Sequence, residues 1–77
     1  MLEMRPGCEL CDKDLPADQP GAMICSFECT FCAQCNRDQL RNVCPNCGGQ
    51  LMPRPTRSGE ALQNNPASTK RVVKIAD

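Results

Sequence analysis

The chain has 77 residues, nine basic and nine acidic side chains, no histidine, and only two aromatic residues, Phe27 and Phe31. So little apolar bulk cannot offset a chain entropy of about 1–2 kcal/mol per residue, so some covalent or metal staple is required. No stretch approaches the ~20 apolar residues of a membrane span, and the opening segment, MLEMRPGCEL, lacks an apolar run of signal-peptide length.

In chain order, residues 1–7 read as a lead-in, residues 8–52 as the organised module, and residues 53–77 as a flexible basic tail. Asp14–Ala22 is rich in Pro, Asp and Gly and reads as a loop. Ala22-Met23-Ile24 reads as a short strand, with Thr30-Phe31 returning antiparallel to it around a bend near Ser26–Glu28. Ala33 to Asn42 holds helix formers and no Gly or Pro, which predicts a helix of about two to three turns. Pro45 prevents its continuation. Ile24, Phe31, Leu40 and Val43, with Leu15 and Leu51, are the candidate core. Pro53 to Thr69 reads as a disordered linker. The run Lys70 to Ile75 reads as a solvated end, the alternative being a strand that docks on a sheet edge.

The informative feature is the cysteine content. Eight cysteines stand as four pairs, Cys8/Cys11, Cys25/Cys29, Cys32/Cys35 and Cys44/Cys47. Without an export signal the chain is expected to stay in a reducing cytosol, where such pairs are metal ligands more often than disulfides. Eight thiolates supply four ligands to each of two tetrahedral ions, and zinc is the metal this donor set favours. Structural zinc contributes on the order of 10–16 kcal/mol per site, so the metal-free chain is expected to be unfolded. A C-x2-C pair forms a tight turn, or knuckle, that faces both sulfurs to one ion. Cys44-Pro45-Asn46-Cys47-Gly48-Gly49 suits it, since proline pre-sets the turn and glycine can leave it at positive φ. Cys8-Glu9-Leu10-Cys11 is a second knuckle. A redox dithiol is the competing reading of one such pair, but no thioredoxin-like βαβ pattern surrounds these four.

Which pairs share an ion is open on geometry. Cys29 and Cys32 stand three apart in an extended stretch, so they face opposite sides and suit two different ions. Joining neighbouring pairs and joining alternate pairs both satisfy that condition.

Cys29-Thr30-Phe31-Cys32-Ala33-Gln34-Cys35 resembles the His-x-aromatic-Cys-x-x-Cys run of RING fingers, with cysteine where histidine usually stands. Cys44-Pro45-Asn46-Cys47 resembles the closing Cys-Pro-x-Cys of that family. The resemblance covers residues 8–49. It implies a small zinc-stabilised α+β fold of RING-like, treble-clef type, with a short β-hairpin, one helix and a disordered C-terminal tail. It also implies cross-brace ligation: Cys8, Cys11, Cys32 and Cys35 on one zinc, and Cys25, Cys29, Cys44 and Cys47 on the other. The segments CDKDLP, ICSFECTFC and CPNCGG further resemble a family of small bacterial proteins known as a domain of unknown function, which implies a bacterial cytosol and carries no activity. Eukaryotic RING fingers often recruit ubiquitin-conjugating enzymes. Leu10 and Pro45 match that contact surface, but its tryptophan is absent and Gly48 stands where a basic residue commonly follows the last cysteine.

Other chemistries fit less well. A ferredoxin run would place the fourth Cys-Pro three residues after Cys35, whereas Cys44-Pro45 follows after eight. Catalytic zinc needs an open coordination position, and eight thiolates close both sites. No nucleophilic triad, phosphate-cradling loop or paired-carboxylate arrangement is visible, and Asp12 and Asp14 read as solvated acids. Residues 1–50 carry a balance of −3 and residues 51–77 one of +3. Two zinc ions on eight thiolates would bring the core near −7, which repels phosphate backbones. The expected role is therefore a non-catalytic protein-interaction or adaptor module, using the knuckle loops (Glu9-Leu10 and Pro45-Asn46) and the exposed side of the helix. Nucleic-acid binding through the tail with Arg37 and Arg41, and a ubiquitin-ligase-like activity, are the alternatives.

Overall fold

The structure is a computed structural model that describes residues 1–72. Strand β1 (Ala22–Ile24) pairs antiparallel with β2 (Thr30–Cys32), in the register Ala22↔Cys32, Met23↔Phe31 and Ile24↔Thr30. The turn between them closes through Glu28 N–H to Cys25 O at 3.0 Å and Cys25 N–H to Cys29 O at 3.3 Å.

A third strand, β3 (Met52–Pro53), pairs with the other edge of β1, giving a sheet of order β2-β1-β3. Two residues, one of them a proline, carry no strand signal of their own. Proline is admissible here because β3 is an edge, where one N–H can be spared.

Helix α1 (Ala33–Cys35) starts directly at the end of β2, with the Cys32 sulfur as its N-cap, accepting from Cys35 N–H at 3.3 Å. It runs into a π-helical turn, Asn36–Leu40, and ends there. The expected helix through Asn42 is therefore two residues too long. The cause is Asn36, which is buried. Its Oδ1 accepts from the Asn42 N–H at 2.8 Å, and its Nδ2 donates to Asn42 Oδ1 at 2.8 Å. That amide pair withdraws Asn42 from the helix. Arg41 and Asn42 turn left-handed, with φ of 52° and 67°. Asparagine tolerates that conformation better than most residues, and the wide turn is the local adjustment that accommodates it.

The core is compact and sulfur-rich. Phe31, Leu51, Leu15 and Ala22 pack with Cys8, Cys25, Cys29, Cys32, Cys35 and Cys44. Leu40 is half-buried against this cluster and Ile24 is half-buried. Val43 departs from expectation at 52 % exposed. It forms a β-bridge with Gln50 that leads into the last knuckle, so it holds backbone and leaves its side chain outside. Met4 and Ala17 are buried instead.

Residues beyond Pro53 were expected to be disordered. Those described are in part ordered. Arg54 N–H donates to Ala22 O at 2.8 Å. The Arg54 guanidinium, only 6 % exposed by residue, donates to Arg5 O at 2.8 Å, Leu15 O at 2.9 Å and Pro16 O at 3.4 Å. Arg57 donates from its backbone to Ala17 O and from its side chain to Leu2 O and Asn65 O, each at 2.8 Å. A short helix, α2 (Gly59–Asn64), follows. Composition alone hides this because the docking uses guanidinium donors and loop carbonyls rather than apolar burial. The candidate strand of Lys70 to Ile75 falls from Val73 onward outside the described residues. Among the described residues no helix is long and apolar enough to cross a membrane.

Arg54→Ala strands three carbonyls that Arg54 now satisfies and is expected to cost about 2–3 kcal/mol. Chemical denaturation read by circular dichroism checks it. Arg54→Lys is expected to recover only a small part, because an ammonium cannot fork to carbonyls on two loops.

Candidate metal centre

Two sets of sulfur atoms converge, one of them including Cys32 at the end of β2. The Sγ atoms of Cys8, Cys11, Cys32 and Cys35 all lie within 4.8 Å of one another, as do those of Cys25, Cys44 and Cys47. All eight cysteines are free thiols. A tetrahedral ion with sulfur at about 2.3 Å requires sulfur–sulfur edges of about 3.8 Å. The Cys11 to Cys32 separation is 3.7 Å. The sets thus join alternate pairs, and the donors fit a tetrahedral thiophilic cation. Cys29 stands outside the second set but beside it, its thiol adjoining Cys25, Cys44 and Asn46.

The two knuckles are built alike. In the first, Cys8 N–H donates to Lys13 O at 2.9 Å and Asp12 N–H to Cys8 O at 2.9 Å. In the second, Cys44 N–H donates to Gly49 O at 2.8 Å and Gly48 N–H to Cys44 O at 2.8 Å. The spacing from the first cysteine is the same in both. Each is also closed at its base by a β-bridge, Gly7↔Asp14 and Val43↔Gln50. The fourth residue after the leading cysteine is left-handed in each, Asp12 at φ 63° and Gly48 at φ 75°. Glycine takes that conformation freely, and aspartate is among the residues that tolerate it. Leading sulfurs are aimed inward and buried, whereas Cys11 and Cys47 are exposed.

Backbone donors and crowding split the thiols within each set. For Cys8, burial pushes the pKa up, but N–H groups of Cys11, Cys32 and Leu10 outweigh it and the net shift is downward. Cys25 is likewise opposed by burial and brought down to about 7, with the N–H groups of Phe27 and Cys29 foremost. The Phe27 N–H lies 3.4 Å from Cys25 Sγ. Cys35 is pushed up, by burial first and then by the Cys32 and Cys11 thiols. Cys44 is raised by burial and by the Cys47 and Cys25 thiols, against the N–H groups of Cys47 and Asn46. Cys8 is thus shifted down while Cys11 and Cys35 are shifted up, and Cys25 down while Cys29 and Cys44 are shifted up, as burial and neighbouring thiols oppose the backbone donors.

Glu9 departs most from its sequence reading. It was expected on an exposed loop and is instead fully buried. Its carboxylate accepts from the Thr30 N–H, from Arg5 Nη1 at 2.7 Å and from Asn46 Nδ2 at 3.3 Å. Its own N–H donates to Thr30 O at 2.9 Å. The one sequence signal was Arg5, four residues earlier. Asp12 and Asp14, read as solvated, both pair with Arg71, whose guanidinium meets Asp12 Oδ1 at 2.8 Å, Asp12 O at 2.7 Å and Asp14 Oδ1 at 2.9 Å.

Residues 1–57 match the profile of DUF1272, a family described as proteins of unknown function. The chain belongs to this family. An uncharacterized protein of Rhizobium meliloti is 58 % identical over 74 residues, covering 96 % of this chain and 88 % of the relative. No solved structure matches the chain. The family match extends past the last cysteine to Arg57, the residue whose backbone docks on Ala17.

Gathering by alternate pairs has a direct spectroscopic consequence. In the metal-loaded protein, Cys32→Ser is expected to shift the amide resonances of Cys8 and Cys11 more than those of Cys44 and Cys47. Larger shifts at Cys44 and Cys47 would count against this arrangement.

Proposed function

We propose that the chain is a non-catalytic, RING-like module of treble-clef type, held by two structural zinc ions and serving as a protein-interaction adaptor in the cytosol. The observation that carries the metal reading is the gathering of four and three sulfurs, each set within 4.8 Å, with Cys11 and Cys32 at 3.7 Å. Cys8, Cys11, Cys32 and Cys35 hold one ion, and Cys25, Cys44 and Cys47 hold the other with Cys29 as fourth ligand. Bound zinc supplies a fixed cross-link with no open coordination position. The RING-like assignment is supported by the alternate pairing and by a hairpin that leads straight into a helix capped by Cys32.

An adaptor needs exposed apolar contacts, and Phe27 at 72 % and Met52 at 53 % exposed provide them beside the second set. Pro45 and Asn46 remain on the surface, while Glu9 does not contribute to it. Nucleic-acid binding through the tail with Arg37 and Arg41 is less well supported, because Arg54, Arg57 and Arg71 are spent on carbonyls and aspartates of the same chain and Arg37 pairs with Asp38, which leaves Arg41 exposed. Salt-dependent attraction needs free cations.

Metal analysis of protein purified without added metal is expected to return two zinc per chain. A single zinc, or iron with a coloured solution, overturns the proposal. Stripping the metal with a chelator is expected to abolish the circular dichroism of the fold, since structural zinc contributes on the order of 10–16 kcal/mol per site and a small domain has no more than that in total. For the adaptor role, zinc-loaded bait is expected to retain a protein partner that Phe27→Ala bait loses. Micromolar, salt-dependent binding to duplex or single-stranded nucleic acid would favour the alternative.

A further inference from the structure

Glu9 has no exposed surface, and both of its carboxylate oxygens are engaged. Glu9 and two of its partners fall on three separate parts of the cysteine framework. Glu9 itself lies between Cys8 and Cys11 in the first knuckle. Thr30, which both donates to it and accepts from it, lies between Cys29 and Cys32, which stand with different sulfur sets. Asn46, 3.3 Å from Glu9 Oε1, lies between Cys44 and Cys47 in the second knuckle. Asn46 also adjoins the Cys29 thiol. Among the described residues, Glu9 is the side chain that bonds to both the strand and the opposite knuckle.

We propose that Glu9 and Asn46 are positioning residues that couple the two metal centres, so that filling one site favours filling the other. This inference rests on the metal-binding reading above. Closing the first knuckle on a cation fixes the Glu9 backbone and aims Oε1. Oε1 then holds Asn46, and with it the exposed loop that carries Cys44 and Cys47. The ordering cost of the second knuckle is then partly met before its own cation arrives, which is positive coupling without a change of fold. The choice of residue supports this. A carboxylate buried between two thiolate-rich sets is costly, and an apolar side chain of similar volume would pack there at less expense. Arg5 offsets that charge, and its guanidinium is held above its ordinary pKa: burial opposes the charge, and Glu9 and Glu3 outweigh burial. What the apolar residue could not do is reach Thr30 and Asn46 at once.

Native mass spectrometry of the reduced full chain at one equivalent of Zn2+ tests the coupling. The wild type is expected to be depleted in the one-zinc chain, to about a third of the population or less, which corresponds to a coupling factor of at least about fivefold. Asn46→Ala keeps all eight thiols and the Arg5–Glu9 pair, and is expected to bring the factor towards one, the one-zinc chain rising to about half of the population. Asn46→Asp, which sets a carboxylate against Glu9, is expected to lower it at least as far. Gln63→Ala, an exposed position on α2 away from both sulfur sets, is expected to leave it unchanged. A wild-type factor of one, wild-type coupling in both Asn46 variants, or an equal loss in Gln63→Ala would each overturn the coupling. A wild-type chain that takes up no zinc overturns the proposed function itself, and the coupling with it.

Discussion

Sulfur packed against sulfur is the constraint on which the rest of this molecule depends. A core with Phe31, Leu51, Leu15 and Ala22 as its apolar members is too small to hold a fold on burial alone. Its other members are cysteines, and crowded thiols repel one another's ionised forms unless a cation is shared among them. Each local element can be read as a device for delivering sulfurs to a point. The knuckles turn two at a time, and β2 ends on Cys32 of one set while Cys29, just before it, adjoins the other. Helix α1 begins where Cys32 can both cap it and join a set.

Much of this arrangement was legible in the sequence because cysteine spacing is itself geometry. A C-x2-C pair states a turn, and an odd separation in extended backbone states two faces. The strand Ala22–Ile24, its return through Thr30 and Phe31, and the burial of Leu15 and Leu51 follow from pattern and appear in the structure. What pattern could not show were interactions made by polar side chains with distant backbone. Asn36 closes its own helix early. Arg54 docks through carbonyls on segments about 40 and 50 residues away. Glu9 is drawn inside by partners on two other elements. These residues have ordinary surface chemistry, and only the tertiary arrangement supplies the donors and acceptors that bury them.

The equivalence of the two knuckles also bears on function. The same eight-residue loop, with matching hydrogen bonds and a left-handed residue at the same place, occurs once before the sheet and once after the helix. One copy carries Glu9 at its tip and the other Pro45 and Asn46, so the two loops differ where they face each other and agree where they present their sulfurs. A shared scaffold with divergent tips allows the inner surface between loops to specialise without disturbing ligation.

The seating of Arg54 and Arg57 carries the fold past its last cysteine. Counting to the last cysteine places its end just after Cys47. Hydrogen bonds run well beyond, from Arg57 N–H to Ala17 O, from Ser68 N–H to Glu3 O and from Arg71 to Asp12 and Asp14. A shortened chain ending at Met52 would retain every sulfur yet open a polar hollow lined by the carbonyls of Arg5, Leu15 and Pro16. In such a chain the loop from Asp14 to Ala22 would lose its inner lining, and protease attack would fall there first.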